Sequence, residues 1–223
     1  MKAPKNLDTL TYELLSPKMT KGQERKIEII KSAIKIIATK GIEETSFESI
    51  GKPIKMSKTH VAYHFKNKED IIFKAIEYII NQGQTLTAQK VLKAAPNTQE
   101  QIAAIIDSAF EWALKYPDAM GVYLLFFYYS RIHENYRELQ EKIRNTGLER
   151  LDSILKGNPK LSSEDSAESR QKLAATIQSL IAGSLMYLFT TEKKPSPDSS
   201  DKILKICKQQ IQNLLSAETN HSH

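Results

Sequence analysis

Residues 50–70 run Ile50-Gly51-Lys52-Pro53-Ile54-Lys55-Met56-Ser57-Lys58-Thr59-His60-Val61-Ala62-Tyr63-His64-Phe65-Lys66-Asn67-Lys68-Glu69-Asp70. Three signals in them set the local structure. Pro53 lacks a backbone donor and must end or kink any helix that reaches it. Ser57 can cap a short helix over Lys58–His64, because its hydroxyl can accept from an early helical N–H. Asn67 can cap a further helix opened by Lys68-Glu69-Asp70, whose acids suit a helix N-terminus. Phe47, Ile50, Ile54, Met56, Val61 and Phe65 supply one apolar side for this unit. Lys52, Lys55, Lys58, Lys66 and Lys68 surround it, with Glu48 the single acid between residues 46 and 68, a local surplus of +4.

Just upstream, Thr45 with Glu48 three residues on forms a capping box, so a helix of about two turns is expected from there to Pro53; Ser46 with Ser49 is a weaker competing register. Earlier still, Ile27, Ile30, Ile34 and Ile37 fall on one helical face. Gly41 stops that helix after Lys40 in its last turn. Residues 22–65 therefore predict three short helices, the second and third joined by a tight turn. That is helix-turn-helix geometry, which holds one helix rigidly enough to set polar side chains in a major groove.

Downstream, Ile72, Ile76, Ile79 and Ile80 mark one side of a fourth helix reaching the mid-80s or beyond. Pro96-Asn97-Thr98 breaks the chain and restarts it to Tyr116. Pro117-Asp118 precedes an aromatic-rich helix over 118–132. A charged amphipathic helix covers 134–156 and ends at Gly157-Asn158-Pro159. Ser162 or Ser163 opens a long helix to about Thr191, and after Pro195-Ser196-Pro197 a last helix covers about Ser199–Ala217. No strand-like alternation and no internal repeat is evident. The expectation is an all-α chain of about nine helices: an arm over 1–20, a helix-turn-helix domain over 21–68, and a C-terminal helical bundle over 69–223.

Composition narrows the class. Of 223 residues, 40% are hydrophobic and 26% charged, with 8 glycines and 8 prolines, as in globular helical proteins. The one cysteine, Cys207, can form no internal disulfide, so a reducing cytoplasm is expected. No N-terminal signal is visible. Ala119–Tyr129 and Leu180–Phe189 are too short as apolar runs to span a membrane and read as buried core helices. The net charge of +6 is segregated: residues 1–74 carry 15 Lys+Arg against 9 Asp+Glu, and the remainder carries 17 against 17. That segregation favours a polyanion partner.

The stretch over 50–70 resembles the DNA-binding domain of the tetracycline-repressor (TetR) family. Ser57, His64-Phe65, Asn67-Lys68 and Glu69 carry the likeness, with Ile30–Ala38, Lys40-Gly41 and Thr45-Ser46 upstream. It covers about residues 24–80. Pro53, Lys55, Thr59 and Ala62 depart from the family's habits: a glycine is common at the positions of Lys55 and Thr59, and many members place a phosphate-contacting tyrosine where Ala62 stands. The resemblance implies that Lys58 and Thr59, just after the Ser57 cap, face base edges, with a guanine favoured near Lys58. It implies that His60 and Tyr63 reach phosphates or bases, that Lys68 holds a phosphate, and that Thr45 or Ser46 holds another.

The resemblance also implies a small-molecule effector and a homodimer. Phe110, Tyr123, Phe126, Phe127 and Met186 are candidates for an effector pocket, although core packing accounts for aromatic clusters just as well. Leu173, Ile177, Leu180, Ile181 and Leu185, with Ile203, Cys207, Ile211 and Leu214, form two apolar faces. Either they pack within the chain or they pair with their copies as a four-helix interface. His60 and His64 are spaced to share a metal, yet no third ligand and no metalloprotease glutamate accompany them, so no metal and no cofactor is expected. Nor does any nucleophile–base pair suggest an enzyme. The expected function is a ligand-responsive transcriptional regulator, a dimeric repressor binding double-stranded DNA, without membrane attachment. The alternatives are a sequence-tolerant architectural DNA-binding protein and a helical small-molecule binding protein.

Overall fold

The computed structural model of the chain describes residues 19–192 and 194–218. The expected arm therefore lies outside the described residues, apart from Met19 and Thr20. Every regular element described is helical: α1 (Lys21–Lys40), α2 (Phe47–Gly51), α3 (Lys58–His64), α4 (Lys68–Lys93), α5 (Thr98–Lys115), α6 (Pro117–Ile132), α7 (Glu134–Leu155), α8 (Ala167–Thr191) and α9 (Pro197–Glu218), with three 3-10 turns between them. The all-α expectation holds, with nine α-helices among the described residues. Two compact units contain them. The first takes the chain up to Gln84 together with Asp118–Phe126; the second takes Thr85–Pro117 and everything from Phe127 onward. The division thus runs inside α4, whereas the boundary read from the sequence stood at the start of that helix. Ile71, Ile72, Ala75, Ile76 and Ile79 are all buried, which gives the first half of α4 to the first unit's core.

In the first unit, α1 is capped by Thr20, whose hydroxyl accepts from Gln23 N while the Gln23 side chain accepts from Thr20 N. It ends at Gly41, whose φ of +85° is a conformation that side chains with a Cβ rarely adopt. The expected isoleucines are buried, and so are Ile29, Ala33 and Ile36 on other sides of the helix. Part of the reason is the Asp118–Phe126 segment, where Gly121 approaches Ala38 closely enough for an added Cβ to sit 3.7 Å from it. Non-local packing of this kind leaves no trace in a local period.

In the second unit, α8 packs along both α7 and α9, and α5 touches α7, α8 and α9. Asn97 caps α5 by accepting from Glu100 N, and Ser196 caps α9 by accepting from Ser199 N. The expected start of α8 at Ser162 or Ser163 is corrected. Those residues lie between two 3-10 turns, Pro159–Leu161 and Glu164–Ser166, and the helix begins at Ala167. The cause is Arg170, only 2% exposed. Its guanidinium donates to the carbonyls of Leu161 and Ser163 and, through Nε, to Asp152 at 2.8 Å. A non-helical path keeps those carbonyls free to accept. Arg170 in turn holds the Asp152 carboxyl below its usual range, with Lys156 adding to the effect.

Leu180–Phe189 is also corrected as a buried core helix. Ile181, Leu185 and Leu188 are buried, but Gly183, Met186 and Tyr187 are exposed and Leu180 and Phe189 are half-buried. The segment Glu164–Thr191 is long and apolar enough, by length and composition, to cross a membrane. Counting unbroken apolar residues hid this, because small alanines, serines and threonines extend the stretch without adding charge.

Candidate nucleic-acid interface

The competing capping register wins at α2. Ser46, not Thr45, is the N-cap: its hydroxyl accepts from Ser49 N, and Ser49 Oγ accepts from Ser46 N at 2.8 Å. Thr45 is 2% exposed. Its hydroxyl donates to Gly41 O at 2.9 Å and its amide to Ile42 O at 3.1 Å, closing the turn between α1 and α2. Both of its donors are spent internally; of the expected pair only Ser46 stays exposed, with its own amide and hydroxyl donating to Ser49 Oγ.

From α2 the chain passes into a 3-10 turn, Lys52–Ile54, with Pro53 in its first turn, where a missing N–H costs nothing. Lys55 then takes a left-handed conformation, φ +55°. This reverses the chain so that Met56 N donates back to Gly51 O at 3.0 Å. The return is so tight that a Cβ on Gly51 would lie 2.4 Å from Met56 O. Below the turn, Ser32 Oγ on α1 donates to Ile50 O at 2.7 Å, a buried bond that pins the end of α2.

Ser57 caps α3, accepting from His60 N at 3.2 Å. Seven residues are too few for an independent helix. Tertiary burial holds it: Val61 is wholly buried and Phe65 nearly so. Burying a valine contributes about 1.5–3 kcal/mol. The helix also carries Lys58, Thr59, His60 and Tyr63, all exposed, Tyr63 to 83%. Lys52, Lys55 and Lys66 are exposed around it. Four of the expected contact residues are thus exposed on one short rod.

Lys68 differs from expectation in part. It is half-buried, and its Nζ donates to Ile42 O at 3.3 Å, tying α4 to the α1–α2 turn. Asn67 caps α4 as expected, accepting from Asp70 N at 2.8 Å. His64 is half-buried at the end of α3. Desolvation first, then the charges of His60, Lys26 and Arg25, push its pKa down.

The remaining candidates divide by unit. In the first, Phe126 is buried and its ring lies 6.1 Å from that of Tyr123, whose phenol burial pushes up to about 12. In the second, Phe110 is buried, Phe127 half-buried and Met186 exposed on α8. Leu173, Ile177, Ile181 and Leu185 of α8 and Cys207 and Ile211 of α9 are buried within the single chain, while Leu180, Ile203 and Leu214 are half-buried. The Cys207 thiol is pushed up by burial and shares a hydrogen bond with Ser184. The exposed apolar residues of the two helices are instead Met186, Tyr187 and Ile206, beside Gly183. A heptad-like count selected the inner face; only burial identifies the outer one.

Residues 29–75 match the family described as bacterial regulatory proteins, tetR family. Over those residues the resemblance read from residues 50–70 is borne out. It is 34% identical over 80 residues to the uncharacterized HTH-type transcriptional regulator YerO of Bacillus subtilis (strain 168), over 36% of this chain and 25% of that protein. It is 36% identical over 56 residues to IcaR, the HTH-type negative transcriptional regulator of the biofilm operon icaADBC in Staphylococcus epidermidis, over 25% of this chain and 30% of that one. The matched stretches therefore span less than a third of these curated relatives. The fold extends further. The solved structure of the fatty acid degradation regulator FadR from Bacillus halodurans matches with a TM-score of 0.71 at 14% identity, covering 87% of this chain and 96% of that one.

Proposed function

We propose that this chain is a dimeric, effector-responsive transcriptional repressor that reads a near-palindromic operator with α3. One observation carries the reading. Lys58, Thr59, His60 and Tyr63 are all exposed on a short helix that Val61 anchors in the core. Such a rod suits a B-form major groove, where Lys58 can donate to guanine O6 and N7. Ser46 and the lysines flanking α3 supply backbone contacts. Repression follows the description of IcaR as a negative regulator.

One seven-residue helix reads too few base pairs to specify a site, which argues for two copies with half-sites about one turn, roughly 34–36 Å, apart or a small multiple. The partner surface is the outer face of α8 and α9 at Gly183, Met186, Tyr187 and Ile206. The effector is a small, largely apolar molecule, with Phe110 and Phe127 of the second unit as candidate contacts. It acts by binding one of two conformations more tightly than the other.

Binding-site selection from random duplex at two salt concentrations tests the reading. A two-fold-related consensus with a guanine in each half-site is the expected result. Recovery without sequence enrichment would make the chain an architectural DNA binder, and no recovery at low salt would remove DNA from its partners.

A further inference from the structure

We propose that binding of duplex DNA draws a proton onto the stacked His60–His64 pair, which seats one backbone phosphate. The inference rests on the DNA-binding reading above and adds a proton to it. His60 and His64 lie one turn apart on α3 with their rings stacked, centroids 6.0 Å apart and planes 18° from parallel. Tyr63 meets the His64 ring edge-on at 5.1 Å. The charges that act on His64 are His60 on its own helix and Lys26 and Arg25 on α1, all of one sign; Arg25 is partly answered by its pairing with Glu28 at 2.6 Å.

In the free protein the surroundings of His64 resist its protonation. A proton on one imidazole faces its stacked neighbour and two fixed cations, and His64 is held below its ordinary value. A phosphodiester reverses the balance. It carries a negative charge at every pH of interest, and an imidazolium donates from both ring nitrogens where the neutral ring donates from one. The proton comes from bulk water and adds to one imidazole nitrogen; no covalent bond to DNA forms. Because the complex then holds more protons than the free partners, affinity rises as pH falls. The limit is about tenfold per pH unit for each proton taken up. Lysines, arginines and carboxylates keep their charge across this range, so their contribution to affinity stays level.

Calorimetric titration of a random-sequence duplex about three helical turns long, at low salt and in two buffers of different ionisation heat, reads the proton count directly. Titrations at about pH 6 and about pH 8 supply the affinity ratio. The wild type is expected to bind several-fold tighter at the lower pH with net proton uptake. His60→Gln and His64→Gln should each reduce the proton uptake and flatten the ratio of affinities between the two pH values, whatever affinity each variant retains; His60 is exposed, so its variant folds even if the His64 variant does not. Binding without proton uptake would overturn the inference and leave the DNA reading standing. Uptake that survives the double variant would also overturn it, by placing the proton elsewhere. Failure to bind at either pH would end both.

Discussion

At the scale of single residues, the reading face and the turn that supports it make separable predictions. Lys58 is exposed and its proposed role is contact alone, so Lys58→Ala should leave thermal stability unchanged and cost about 1–3 kcal/mol at one or two operator positions. Competition assays against single-base operator variants check this; unchanged base preference removes Lys58 from the contacts. Lys68 is different, because its ammonium also ties α4 to Ile42 O. Lys68→Ala should weaken binding to all sequences alike and lower the unfolding midpoint, where a pure phosphate contact would leave the midpoint alone. Lys55 adopts the left-handed conformation that costs a residue with a Cβ about 1 kcal/mol. Lys55→Gly should therefore stabilise the protein by up to about 1 kcal/mol in chemical denaturation, while removing one positive charge from the DNA side. Gly51→Ala should do the reverse, losing about 1–3 kcal/mol, since its new methyl would collide with the Met56 carbonyl, which is backbone and cannot swing away.

At the scale of elements, what the sequence discloses depends on how local the cause is. Ser57 and Asn67 as caps, Gly41 as a stop and Pro53 as a break act within four residues, and the helices begin and end where those residues require. The choice of Ser46 over Thr45 was out of reach because the Thr45 hydroxyl is drawn to Gly41 O by a turn whose shape depends on α1. The start of α8 was hidden for a like reason: Arg170 reaches carbonyls seven and nine residues away, and a buried arginine has the same letter as an exposed one. Arg170→Met should then be costly, by about 1–3 kcal/mol, since the buried Leu161 and Ser163 carbonyls lose their donor and Asp152 keeps only Lys156. The acid limb should move too. Folding lowers the Asp152 pKa, so its stabilisation is complete above the unfolded carboxylate value and is lost as pH falls through the folded one. In the variant that acid-dependent loss should shrink, as read from denaturation midpoints on descending pH. The reading face itself was legible because exposure follows from the burial of Val61 and Phe65 on the other side of one helix. The outer face of α8 was not, since α8 is apolar on most sides and only packing against α7 and α9 says which side is left over.

At the scale of the whole molecule, charge and symmetry have to work together. The excess of lysine and arginine sits in the first third of the chain, while the rest is balanced, so the proposed DNA contacts and the proposed association draw on different segments of sequence. Log affinity should fall with log salt at about 0.9 per phosphate neutralised, and a dimer should show the phosphates of two half-sites in one slope. Gly183 separates these contributions. A Cβ added there meets nothing within 4 Å inside the chain, and replacing a mid-helix glycine favours the helix by up to about 1 kcal/mol. Gly183→Leu should therefore fold at least as stably as the wild type, yet fill the close-approach face and raise the dimer dissociation constant at least tenfold, an effect worth about 1.4 kcal/mol. Sedimentation velocity at increasing concentration reads the assembly, and the same samples titrated with operator read the salt slope. Monomers should bind with about half the wild-type slope and lose most of their preference for the two-fold site. A variant that stays dimeric would move the partner surface off α8, and a monomer retaining the full slope would mean that one α3 already makes every backbone contact.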